Sequence, residues 1–238
     1  MQDFTSTFGN SAANALPVER AQFIRKTYLL LAAAVLAFVV VEGFLFVSGA
    51  AGAILTVISA GGRMGWLVVL AAFMGVSYLA NRWAMSDTSN VTQYLGLAVY
   101  VIAEAVIFVP MIAIAMYASG DGSILIKAGI VTLGLFLGLT ATVFLTRTDF
   151  SFLLPILAIG FFLAIGFIVA SAIFGFSLGS VFAFLMVAFA GSAILYNTSN
   201  VMFRYNTSQY VAASLSLFAS VALLFWYILR LMMSLRRD

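Results

Sequence analysis

A chain of 238 residues that is 64% hydrophobic and 8% charged, with a mean hydropathy of +1.16, lies far from soluble proteins, in which about half the residues are apolar and about a quarter charged. A soluble domain of this size still exposes about a quarter or more of its unfolded surface, so this composition calls for lipid as the solvent. The net charge of +3 is scattered, with no basic run to track a phosphate backbone, and the absence of cysteine and histidine removes disulfides, thiolate or imidazole metal ligands and histidine proton relays.

In chain order, the first 24 residues are polar or mixed and lack the apolar core and small-residue site of a cleavable signal peptide. They are expected to form a mobile N-terminal tail, residues 1–24, ahead of a transmembrane domain spanning 25–238. A crossing needs about 20 mainly apolar residues. Seven stretches qualify, near 28–48, 65–83, 92–117, 123–145, 150–173, 178–197 and 210–233, and only the first loop, with SGAAGA and SAGGR, is ambiguous in extent. Backbone groups in lipid must be satisfied within each segment, so these are helices. The predicted fold is an all-α integral membrane protein of seven transmembrane helices.

Orientation follows from the cations. An inner N-terminus puts Arg20, Arg25, Lys26, Arg82, Arg147 and Arg204 inside and Arg63 and Lys127 outside. The tail with Arg230, Arg236 and Arg237 then falls outside, against the rule; the length of the last segment favours a full crossing over a re-entrant one. The connections RWAMSDTSNVTQY, TRTDFSF and FRYNTSQY each place an Arg before short oxygen-bearing side chains, then enter an apolar helix. These read as inner-face loops in which Arg82, Arg147 and Arg204 anchor at an anionic surface and Asp, Asn, Ser or Thr cap the next helix. In this reading YNTSQY starts the seventh helix and NTSN ends the sixth. DTSNV at 87–91 and NTSNV at 197–201 read more readily as recurrent capping than as duplication.

Catalytic routes fall by elimination: no imidazole base, no HExxH, and Asp87, Asp121 and Asp149 all in loops, so no enzyme, catalytic residue, metal site or cofactor is expected. Two acids remain inside the membrane. Glu104, in YVIAEAVIFVPMIA, lies near the midplane; Tyr100 is one turn earlier on its face, and Pro110 removes the amide that would pair with the Val106 carbonyl and predicts a kink or break. Acid beside interrupted helix is a common build of ion paths, and a neutral, packed Glu104 is the alternative. Glu42, in the outer half of the first helix, is a weaker candidate within reach of the interface. Gly134, Gly138 and Thr142 line a small-residue stripe read as close packing.

AILYNTSNVMFRYNTSQYVAASLSLFASVALLFWYIL, with TRTDFSFL and the proline of EAVIFVP, resembles the Bax inhibitor-1 family and, within it, the bacterial YccA-like branch. The resemblance implies a seven-helix bundle with the last helix near the centre, in a bacterial inner membrane. It also implies two activities: regulation of, or turnover by, an FtsH-like membrane protease, and a pH-sensitive leak of calcium or another cation. Calcium-leak relatives carry a pair of aspartates that share protons and close the path; the matching positions here are Asn197 and Ser220, which do not titrate. The first expectation is therefore a protease-linked regulator, with the tail as the handle. The second is a cation leak with an altered gate at Glu104.

Overall fold

The computed structural model describes residues 11–86 and 89–235, and of Arg63 the backbone alone. The chain is helical throughout: α1 (Pro17–Val47), α2 (Ala50–Ala60), α3 (Gly62–Ala84), α4 (Asn90–Ser119), α5 (Ser123–Thr146), α6 (Leu153–Phe174), α7 (Gly179–Phe203) and α8 (Tyr210–Ser234). All but α2 are long and apolar enough to cross a membrane, which gives the seven expected spans. α2 occupies the ambiguous first loop. At 1.5 Å per residue it is roughly 16 Å long, about half a hydrocarbon core, and Gly49 (φ 79°) and Gly62 (φ 55°) supply the left-handed turns at its two ends.

The start of the chain departs from the expected boundary. Pro17 stands in the first turn of α1, where its missing N–H is no loss, so the helix begins at residue 17 rather than 25. The residues just before it are tied down: Ser11 bridges Asn206, the Ala12 amide donates to the Tyr205 carbonyl at 2.8 Å, and Ala12 is fully buried. Residues 1–10, Asp87, Thr88, Arg236 and Arg237 lie outside the described residues.

α8 is the axis of the bundle, packed against α1, α3, α4, α5 and α7, and buried on most of its surface. Its small residues, among them Ala212, Ala213, Ser214 and Ser220, let neighbours approach closely, which is how helices associate where lipid offers no hydrophobic drive. Ser214 donates to the Thr27 carbonyl of α1 at 2.8 Å. The outer helices are apolar toward lipid instead: of α6 only Ala164 is buried, while Phe162 is 73% exposed.

The connections α3–α4, α5–α6 and α7–α8 gather with residues 11–16 at one end, the N-terminal face; the α4–α5 and α6–α7 connections lie at the opposite, C-terminal face. Arg82, Arg147 and Arg204 share the N-terminal face. Each sits at a helix C-terminus, the last turn of α3 and the C-caps of α5 and α7, where a cation is favoured by the dipole.

Two local expectations are corrected. Ser89 does cap α4, accepting from the Thr92 amide at 3.1 Å, but α6 and α8 have no side-chain cap. Asp149 instead accepts from the Ser151 amide at 2.9 Å and Gln209 from the Asn206 amide at 3.1 Å, so these side chains close the turns before the helices. NTSN stands in the last turns of α7, the sixth span, as expected, and the helix runs on to Phe203. The Gly134/Gly138 stripe is not an internal packing face: nothing comes within 4 Å of where either Cβ would stand. Close packing falls on Gly96 of α4, where a Cβ would meet the Ala80 carbonyl oxygen at 2.6 Å and the Ala84 nitrogen at 2.8 Å on α3.

Candidate functional site

α4 carries the site. Glu104 stands at its centre, about 21 Å along the helix from Asn90 at 1.5 Å per residue. The helix runs through Pro110 without the break that was one of the two expected outcomes, and proline leaves the Val106 carbonyl without its helical amide. The Tyr100 hydroxyl donates to Glu104 Oε1 at 3.2 Å, the one-turn pairing expected from their spacing.

Glu104 is 7% exposed, and what it meets is a cavity of about 620 Å³ between α3, α4, α6, α7 and α8. Arg230 of α8 and residues 175–178, the α6–α7 connection, form the end of this cavity at the C-terminal face, and Glu104 lines it at mid-span together with Phe73, Met74 and Phe161. Its walls are mainly aromatic and aliphatic. Trp66 stacks on Trp226 at 6.1 Å and 18°, and Phe108 meets Trp226 edge-on at 4.9 Å.

Toward the N-terminal face the way is closed. The Tyr100 ring contacts Phe73 at 5.9 Å and Phe218 at 6.1 Å, and Phe38 packs on Phe218. Two residues along α8 from Phe218, Ser220 Oγ accepts from Asn197 Nδ2 at 2.8 Å; Asn197 Nδ2 also lies 3.3 Å from the Ser216 carbonyl, and Ser220 donates to that carbonyl at 3.0 Å. The two positions are thus joined across α7 and α8 by neutral hydrogen bonds.

Glu42 is elsewhere. It is 6% exposed, does not line the cavity, and neither carboxyl oxygen has a hydrogen-bond partner among the described residues; it is buried rather than reaching the interface. At the N-terminal face a polar clasp joins two connections. Arg204 lies 3.6 Å from Asp149, Ser199 Oγ donates to Asp149 Oδ1 at 3.2 Å, and the Phe150 amide donates to Ser199 Oγ at 2.9 Å. Slight burial pushes the Asp149 carboxyl up, but the bonds from Ser151 and Ser199 and the Arg204 charge outweigh it and hold the group below its usual value.

Arg230 and the tryptophan pair are absent from the residues singled out by sequence. Arg230 had a signal: it is an ionisable residue within the apolar stretch YILRLMM, the criterion that found Glu104. Trp66 and Trp226 had none, because their stacking joins two helices far apart in the chain.

Among the described residues no group of three or more acidic side chains stands ready for a metal ion. No solved structure matches the chain. It is 29% identical over 170 residues to an uncharacterized protein of Pseudomonas aeruginosa, PA2604, an overlap of 69% of this chain and 72% of that one. The profile of the family described as "Inhibitor of apoptosis-promoting Bax1" matches residues 20–237, nearly the whole chain. With seven membrane-spanning helices around a central last one, this protein belongs to the Bax inhibitor-1 family of multi-pass membrane proteins.

Proposed function

We propose that this protein is a gated cation leak of the bacterial inner membrane, with Glu104 as the charged residue of the path. The observation that carries this reading is the cavity that runs from the α6–α7 connection at the C-terminal face to Glu104 at mid-span. A carboxyl at mid-membrane is expensive to keep unless it faces a partner or an open space, and Glu104 has both, Tyr100 and the cavity. The Tyr100, Phe73 and Phe218 rings form the closed gate, and the Asn197–Ser220 bond holds α7 against α8 behind it. Opening requires these rings to part.

The test is calcium flux into proteoliposomes. Wild type is expected to admit calcium and Glu104→Gln to reduce the rate at least tenfold; no flux through wild type overturns the reading.

The neutral Asn197–Ser220 pair favours a second reading. The aspartates of calcium-leak relatives are replaced by groups that do not titrate, which suits a protein of the YccA type acting on, or degraded by, an FtsH-like protease at the inner face. Residues 11–12 are docked against the α7–α8 connection, which takes them out of the handle expected for an unfolding protease. Co-purification of the protease with the full chain and with a form lacking residues 2–10 tests it. Equal recovery with both forms contradicts a tail-mediated contact.

A further inference from the structure

We propose that the cavity above Glu104 is a binding site for one anionic phospholipid, its phosphate on Arg230 and an acyl chain along the tryptophan pair. The proposal concerns the cavity's occupant and does not depend on ion passage.

The cavity also opens sideways. Met74 stands midway along α3 and Phe161 in the first half of α6; both line the cavity, yet they are 43% and 44% exposed. α3 and α6 are joined far less closely than α3 and α4, so the side of the cavity between them is where an acyl chain enters. Within it the chain meets Leu70, Ile165, Ile168 and Trp226. A volume of about 620 Å³ lies inside the range of about 300–1,000 Å³ typical of small-molecule sites.

Charge selects the headgroup. Arg230 lies at the outer rim, about 30 Å along α8 from Tyr210 at 1.5 Å per residue, which is headgroup depth if α8 starts at the other surface. Among the described residues the ion pair is Arg204–Asp149, and none engages Arg230, so its guanidinium has donors to offer a phosphate. An anionic amphiphile meets a charge and an apolar slot in the order in which its own parts are arranged.

The test uses the full chain in mild detergent, with native mass spectrometry counting lipid retained after addition of phosphatidylglycerol, phosphatidylcholine or oleate. Wild type is expected to hold one phosphatidylglycerol about tenfold more tightly than phosphatidylcholine. Arg230→Gln brings the two together, a loss of about tenfold, as expected for one charge-assisted contact. Ile168→Trp fills the slot and abolishes retention; Arg230→Gln, at the rim, keeps the test informative if the larger side chain disturbs folding. Unchanged phosphatidylglycerol retention in Arg230→Gln overturns the proposal. So does oleate retained while phosphatidylglycerol is not.

Discussion

Single residues divide here into those that hold the bundle and those that face the cavity. Asn197 belongs to the first kind. Its amide donates to Ser220 in a half-buried site, so Asn197→Ala leaves Ser220 without its cross-helix donor and is expected to lower stability by about 1–2 kcal/mol, read as a lower thermal midpoint in detergent. A side chain there that served only as surface would leave the midpoint unchanged. Asp149 gives a pH effect of known sign. Its carboxyl is held below its usual value in the folded protein, so its contribution is present above the unfolded-state value and fades as pH falls through the folded one. The Arg204–Asp149 pair is about half exposed, which limits it to well under ~1 kcal/mol. Asp149→Asn should therefore match wild type in thermal midpoint at low pH and fall slightly below it at neutral pH. A gap that widens toward low pH contradicts the assignment. Glu104 and its bond to Tyr100 were legible in the sequence because both sit on one helix, at a spacing that fixes their meeting. Arg230 carried the same signal as Glu104, an ionisable residue in an apolar stretch, whereas Trp66 and Trp226 were not legible, because their stacking arises only when α3 and α8 meet.

At the scale of elements, each span was legible from apolar length alone, and the errors fell at the ends and on the faces. Apolar length reports where a helix can cross and says nothing of how far it continues into water, so α1 extends to Pro17 and α7 to Phe203 beyond the expected limits. The Gly134/Gly138 pattern misled for a related reason. Small residues permit close approach, and only the tertiary arrangement decides whether a neighbour takes it up; α3 does so at Gly96 and no helix does at Gly138. Substituting leucine at each position separates the cases. Gly96→Leu forces α3 and α4 apart and should cost about 1–3 kcal/mol or prevent folding, whereas Gly138→Leu should leave the thermal midpoint unchanged. Equal effects at the two positions would mean that the α3–α4 contact is not as close as described.

For the whole molecule, the arrangement of α8 inside a ring of lipid-facing helices turns a uniformly apolar sequence into one with an inside. That inside is asymmetric. Toward one face it is closed by aromatic rings and neutral hydrogen bonds, and toward the other runs a cavity lined at mid-span by a carboxyl. The expectation that the N-terminal face is cytoplasmic rests on the bias of cations toward it. The absence of cysteine makes this testable, because Ser208 in the α7–α8 connection and Ser177 in the α6–α7 connection are both exposed. Ser208→Cys should react with a membrane-impermeant thiol reagent only after cells are opened, and Ser177→Cys in intact spheroplasts. The reverse pattern would invert the molecule.

The central claim is that charge sensing in this bundle rests on Glu104 and not on the Asn197–Ser220 pair. Calcium flux measured against pH in proteoliposomes of wild type, Glu104→Gln and Asn197→Ala tests it most directly. A cation is drawn to a carboxylate and not to a carboxylic acid; Tyr100 of α4 bonds Glu104, Tyr227 and Arg230 of α8 line the same cavity, and Glu42 of α1 lies outside it. Flux is expected to rise with pH in wild type and in Asn197→Ala, and to lose its pH dependence in Glu104→Gln. A pH dependence that survives in Glu104→Gln contradicts the account.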